Sequence, residues 1–392
     1  MTTHSTTRRS ILLGGLGLVG LAACSSDEPT STTSPTAADP RSSVPASSSP
    51  APTSPASSGP ASSSPASTVL NIGEPSDLVT GLTSPWGLCA LDDERLLISE
   101  RDTGAIKLVR DGEATTIGEV ADARPRGEGG LLGIAVSEDR RALFVYLTGA
   151  SDNRVVRYDL TVGGAGGASF SNPKVLLEGI PAAGNHNGGQ LALGPDGHLY
   201  ISTGDAANRQ LAQDQNSLAG KVLRISFGGT VPADNPFGNP VWSLGHRNVQ
   251  GLAFAPDGTL WSAEFGDRSA DELNVITAGG NYGWPEVEGN AGQRDPFIAP
   301  KVTWEPTASS SPSSLAVAQG NVWVASLAGN TLFQVPINGT EAGEPVAHFA
   351  GEYGRLRSVI AHRDGIVFGT SNTDGRGSVR SGDDRLIYLP LS

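Results

Sequence analysis

An all-β fold, a six-bladed β-propeller of four-stranded antiparallel blades, is what the repetition in this chain predicts. Three observations carry that expectation. One strand unit recurs six times, its hairpins turn on Asp or Gly, and no stretch holds a long helical apolar period.

The first copy begins near Gly87 (GLCALDDERLLISE), and its third strand is expected over Ala105–Val109. The second begins near Gly133 (GIAVSEDRRALFVYL), with a third strand over Arg154–Tyr158. The third begins near Gly189 (GQLALGPDGHLYIST) and continues at Lys221–Ile225. The fourth begins near Gly251 (GLAFAPDGTLWSAE) and continues at Glu272–Ile276. The fifth and sixth begin at Ser314 and Ser358, with third strands at Thr331–Val335 and Arg385–Leu389. Pro-Asp-Gly and Arg-Asp-Gly turns supply the hairpin geometry. Starts about 44 to 63 residues apart suit four-stranded blades with loop insertions. A two-sheet sandwich would not give six similar copies.

The ends are of another character. Residues 1–23 read as an export signal: Arg8 and Arg9 precede an uncharged run from Ile11 to Ala23 that is too short to span a membrane. Arg8-Arg9-Ser10-Ile11-Leu12 resembles a twin-arginine signal. Leu21-Ala22-Ala23-Cys24 resembles a bacterial lipobox, which implies cleavage before Cys24, lipidation of its thiol and anchoring on the outer face of the cytoplasmic membrane or cell envelope. Residues 24–68 are then the lipidated Cys and a Ser/Pro/Thr/Ala-rich tether, too poor in apolar surface to offset chain entropy. The propeller is expected over 69–392. Cys89 is its sole cysteine, so it has no internal disulfide, and an apolar strand makes Cys89 a buried small hydrophobe. The net charge of −13, near −15 without Arg8 and Arg9, argues against nucleic acid as a partner.

Chemistry-bearing residues recur just before first strands. Glu128 precedes the second copy, His186 the third, Arg247 and Asn248 the fourth, and Arg355 and Arg357 the sixth. Such positions converge at one mouth of a propeller, where loops carry function on a rigid frame. The stretch 244–284 is the richest: His246-Arg247-Asn248 before a strand pair, an acidic Gly-containing loop, and an aromatic turn with Tyr282 and Trp284.

At these residues the chain resembles the soluble quinoprotein sugar dehydrogenases, the glucose/sorbosone dehydrogenase family, from about Thr80 to Leu391. The marks are Leu82-Thr83-Ser84-Pro85-Trp86-Gly87, Gly130-Leu131-Leu132-Gly133, Asn185-His186, Gly245-His246-Arg247-Asn248, Asp271-Glu272-Leu273-Asn274 and Gly280-Asn281-Tyr282-Gly283-Trp284-Pro285. The resemblance implies pyrroloquinoline quinone (PQQ) and calcium as cofactors, and oxidation of a sugar or related alcohol. It implies that His186 is the general base, Arg247 polarises the quinone carbonyl, Asn248 helps hold the quinone, and Arg355 and Arg357 clamp its carboxylates. Glu128 falls where the family places a polar residue near substrate. Phe265-Gly266-Asp267 matches a segment whose carbonyls hold calcium, and Asp271, Glu272 and the Tyr282 carbonyl match a second calcium site. Three positions depart from the family pattern. The fifth-blade loop 326–330, with Ala328, lacks a cation; Gln190 replaces an Arg; and Asp267 replaces a Pro.

Other readings stand beside these. A non-catalytic propeller lipoprotein that binds a glycan or protein at the cell envelope uses the same fold. Arg247 would then be an ion-pair partner of Asp205 or Glu264, and Asp271 and Glu272 loop caps. His246, Trp86 and Trp284 are expected to pack, and His198 and His362 to lie at surfaces or turns. No nucleophile elbow and no zinc-ligand spacing occurs.

Overall fold

The computed structural model describes residues 70–163 and 167–392. The expected export signal, Cys24 lipidation site and tether lie outside the described residues. The described chain forms six antiparallel sheets, each a propeller blade. Blade one is Pro85–Ala90, Leu96–Glu100, Ala105–Arg110 and Glu113–Glu119. Blade two is Leu131–Val136, Ala142–Thr148, Asn153–Val162 and Ala168–Ile180. Blade three is Leu191–Leu193, His198–Ser202, Lys221–Ser226 and Val241–Leu244. Blade four is Val249–Phe254, Leu260–Glu264, Asp271–Ile276 and Val302–Trp304.

Blade five departs from the four-strand expectation. After Pro312–Ala318, Asn321–Ser326 and Thr331–Asn338, its outer edge is shared by two short segments, Glu341–Ala342 and Val346–His348. Blade six is Leu356–His362, Gly365–Thr370 and Leu386–Pro390, completed by Ser76–Val79 from the start of the domain. That last pairing (Ser76 opposite Tyr388, Asp77 opposite Ile387) closes the ring. Asn71 and Ser392 exchange backbone hydrogen bonds of 2.6 and 2.9 Å outside it.

Burial explains why the middle strands read as unbroken apolar runs. Every residue of Ala142–Thr148, Asn321–Ser326 and Gly365–Thr370 is buried, because a blade is covered on both faces by its neighbours. The fourth strands of blades one and two, Glu113–Glu119 and Ala168–Ile180, are mostly exposed, whereas those of blades three and four are short and mostly buried. The apolar clusters sit between blades. Leu97 and Ile106 of blade one pack on Leu143 and Val156 of blade two, and Trp323 and Leu332 of blade five pack on Phe368 and Ile387 of blade six. Each such side chain contributes about 1.5–3 kcal/mol on burial. Serine hydroxyls also tie the blades together: Ser99 donates to the Leu132 carbonyl at 2.6 Å and Ser202 to the Val249 carbonyl at 2.8 Å.

His362 stands at the turn end of its strand, one of the two places expected for it, and is 6% exposed. One expectation is corrected here. Cys89 is half-buried rather than buried, because it lies on an innermost strand and lines the central channel with Leu88, Ala90 and Ile134.

Candidate active site

A propeller's first strands start, and its second strands end, at the same mouth. The residue closing each second strand is polar and buried: Glu100, Thr148, Ser202, Glu264, Ser326 and Thr370. Just beyond this ring the entry loops deliver the site. His186 has a left-handed backbone, with φ of 55°. Its N–H donates to Glu128 Oε2 at 3.1 Å, and its carbonyl accepts the Ala206 N–H at 3.1 Å. Only glycine fits at 204, since a Cβ there would sit 2.0 Å from the His186 carbonyl oxygen.

The His186 imidazole meets Asp205, with Nδ1 2.8 Å from Oδ1. Asp205 follows the second strand of blade three and is 2% exposed. It also accepts the Ala207 N–H at 2.8 Å and the Trp284 indole N–H at 2.9 Å. Those two groups only donate, so they meet Asp205 as an acceptor and assign the remaining hydrogen to Nδ1. Nε2 is left with its lone pair as the basic nitrogen.

Arg247 and Asn248 sit beside this pair. The Asp205 N–H donates to the Arg247 carbonyl at 2.7 Å, and Asn248 Oδ1 accepts the Gly188 N–H at 3.0 Å. The Arg247 guanidinium reaches the Phe265 carbonyl and Asp267, both at 3.3 Å, and lies over the Trp284 ring. The expected pairing of Arg247 with Asp205 or Glu264 therefore does not form between side chains. Asp205 is taken by His186 and Trp284. Glu264 instead accepts the Arg247 backbone N–H and, at 2.8 Å, His246 Nδ1. His246 does pack, stacked on Tyr282 with centroids 4.6 Å apart.

On the blade-six side, Arg355 pairs with Asp374 at 3.1 Å, and buried Arg357 donates to Gln250 at 2.5 Å. Burial, with Arg101 and Arg355 close by, pulls the Arg357 guanidinium down to about 9 against the pull of Asp374. Such a cation gains from an arriving anion. Arg376 of the same blade reaches Glu128 at 2.8 Å, linking the two halves of the site. Burial pushes the Glu128 carboxyl up, but Arg376, the His186 N–H and Arg357 outweigh it and hold it below the usual range. The uncharged fifth-blade loop lines a cavity with Arg355, Arg376 and Arg380, and no carboxylate lines it. Three arginines of blade six thus line the same cavity as the blade-five loop that lacks a cation.

The acidic loop of blade four forms a second group. Glu264, Glu272, Glu288, Gly266 and Tyr282 line a small cavity behind Arg247. Burial, then the neighbouring Glu264 charge, pushes Glu272 up to about 8. Glu288 accepts N–H groups from Asp267, Arg268 and Ser269. Asp271 does not line the cavity. Its oxygens accept the Gly266 and Ser311 N–H groups at 2.9 and 2.7 Å, and burial pushes its pKa up to about 7. Among the described residues, no three His, Cys, Asp or Glu side chains are grouped tightly enough to hold a metal unaided. A cation here would need backbone carbonyls as well.

Sequence reading missed Arg101, Asp374 and Arg376, and it offered Asp205 only as an ion-pair partner of Arg247. The signal for Asp205 was available: it follows the polar end of a second strand, as Arg101 follows Glu100 and Phe265-Gly266 follows Glu264.

Residues 82–380 match the family model described as Glucose / Sorbosone dehydrogenase. The chain belongs to that family. A solved structure, the PQQ-bound form of aldose sugar dehydrogenase from Streptomyces coelicolor, is 44% identical and superposes with a TM-score of 0.78 over 82% of this chain and 98% of that one. Quinoprotein glucose dehydrogenase B of Acinetobacter calcoaceticus is 33% identical over 254 residues, 54% of this chain and 52% of that protein. Aldose sugar dehydrogenase YliI of Escherichia coli is 33% identical over 224 residues, 52% of this chain and 59% of that protein. The chain thus spans little more than half the length of these two relatives. The glucose/sorbosone dehydrogenase family assignment makes this chain an oxidoreductase by class.

Proposed function

We propose that this glucose/sorbosone dehydrogenase family member is a PQQ-dependent oxidoreductase that oxidises a sugar or related alcohol, held at the cell envelope through Cys24. One observation carries the cofactor reading. Asn248 Nδ2, Arg247 Nε and Arg357 Nε are buried donors with no hydrogen-bond partner, at the mouth where His186 offers a basic nitrogen. Buried donors left bare cost about 1–3 kcal/mol each. Donors without acceptors suit an acceptor-rich, anionic group such as PQQ.

In this reading Arg247 and Asn248 hold the quinone carbonyl edge, while Arg355 and Arg357 hold carboxylates. The quinone, when bound, supplies the two-electron oxidant. His186 Nε2 takes the proton from the hydroxyl on the carbon being oxidised. Asp205 faces the imidazolium that results and keeps its orientation. Glu128 fixes the His186 backbone, so the base does not swing out of reach of substrate.

The test is calorimetric titration of the domain from Val69 with PQQ, followed by dye-linked oxidation of a sugar panel. Saturable binding with turnover is expected. Arg357→Met should weaken binding about tenfold or more, the worth of one lost charge-assisted bond. No binding and no turnover would return the protein to the envelope-binding reading. For the anchor, Cys24→Ala is expected to release the protein from the membrane fraction; retention would remove the lipid.

Calcium belongs to the same proposal. The oxygen donors of Glu264, Glu272, Gly266 and Tyr282 suit a hard cation, and Glu272 is held protonated by burial and the Glu264 charge. A carboxyl raised in the folded state binds more protons there than in the unfolded chain, so it lowers stability as pH rises from its unfolded value towards about 8. In chelator the melting temperature should therefore fall between pH 5.5 and 8.5. Calcium should restore it more at pH 8.5, where proton and metal no longer compete. A calcium response equal at both pH values, or none, would remove the metal.

A further inference from the structure

We infer that Trp284 is a positioning residue: its indole N–H pins Asp205 so that Asp205 holds the His186 imidazole in one tautomer. The inference rests on the reading of His186 as the base. Expected only to pack, Trp284 has a fixed place and a specific bond. Its backbone N–H donates to the Gly245 carbonyl at 2.9 Å, and its own carbonyl accepts Gln213 Nε2 at 2.7 Å. The indole Nε1–H then reaches Asp205 Oδ2 at 2.9 Å.

The two oxygens of Asp205 are divided. Oδ1 serves His186 Nδ1 and the Ala207 N–H, both at 2.8 Å, while Oδ2 takes the indole N–H. Without that donor Oδ2 would be a buried bare oxygen, and the carboxylate could turn about its Cβ–Cγ bond to relieve it. Turning would withdraw Oδ1 from the imidazole. Tryptophan also has the right polarity. An indole N–H donates and never accepts, so Asp205 meets it only as an acceptor, and the hydrogen between Asp205 and His186 stays on Nδ1. The ring has a second use. The guanidiniums of Arg209 and Arg247 lie over it at 5.1 and 5.5 Å from its centroid. One aromatic wall thus sets the place of both the base and the cation beside it.

Trp284→Phe keeps the ring and removes the N–H. Nitrogen-15 histidine spectra of the cofactor-free domain should show His186 as the single Nδ1–H tautomer in the wild type and a mixture in the variant. With PQQ and sugar, kcat should fall about tenfold while KM stays within twofold. Wild-type nitrogen shifts and unchanged kcat would overturn the inference, as would a lower melting temperature with neither readout moved. The spectra need no cofactor, so they stand apart from turnover: if a His186 variant kept full activity, the base assignment would fail while the hydrogen-bond test still read out. Should Trp284→Phe not fold, Asp205→Asn offers the reverse experiment. The Trp284 indole resonance should then move upfield and exchange faster; an unmoved resonance would overturn the inference.

Discussion

Replacing His186 by Ala is expected to lower sugar turnover by about 10²–10⁴, the range a positioned base supplies. Nothing else in the site takes over. Glu128 is occupied by the His186 N–H and by Arg376, and Asp205 is 2% exposed behind the imidazole. The fold should survive, because Asp205 keeps the Ala207 and Trp284 donors. Stability should drop by about 1–2 kcal/mol for the lost partner of a buried carboxylate. The measurement is dye-linked turnover of the reconstituted variant beside its circular dichroism and melting curve. Wild-type-like turnover would remove His186 from the mechanism.

Removing the closing strand is expected to have the larger effect on stability. A chain that starts at Thr80 lacks Ser76–Val79 and leaves the edge of Leu386–Pro390 bare. It also loses Leu70, Ile72, Leu78 and Val79 from the clusters beside blade six, and the 2.9 Å ion pair of Asp77 with Arg385. Lost burial, about 1.5–3 kcal/mol for the buried Val79 and less for each of the half-buried Leu70, Ile72 and Leu78, together with the ladder bonds is a large share of the stability of a typical domain, about 5–15 kcal/mol. The truncated chain should therefore show no cooperative melt, or one shifted down by tens of degrees, while a chain from Val69 melts normally. An unchanged melting curve would mean that the ring does not depend on this closure.

Much of the propeller was legible because each blade repeats one local pattern. The third strands expected at Lys221–Ile225 and Thr331–Val335 form within Lys221–Ser226 and Thr331–Asn338. Fourth strands were not placed. Those of blades one and two lie exposed on the outer rim, as in Glu113–Glu119, and those of blades three and four, Val241–Leu244 and Val302–Trp304, are too short to show a period. The closing strand was hidden for a different reason: its partner, Leu386–Pro390, lies at the other end of the chain, and four residues carry no signal of so distant a pairing.

The candidate site divides in the same way. His186, Arg247, Asn248, Arg355 and Arg357 stood out because they precede the expected starts of first strands, a position that repeats along the chain, although Arg357 lies within Leu356–His362. Asp205, Trp284 and Arg376 did not, because their meaning lies in what they face. Asp205 binds a histidine from the preceding entry loop, Trp284 binds Asp205 from the next blade, and Arg376 crosses to Glu128 from the sixth.

The sequence by itself determined the all-β class, the number of blades and the mouth at which polar groups gather, since these follow from strand periodicity and turn chemistry. Only the tertiary structure decided which groups touch. Closing the ring brings residues far apart in the chain within hydrogen-bonding distance. Whether a carboxylate there serves as a partner of the base, a loop anchor or a cation ligand depends on which donors the neighbouring blades present to it.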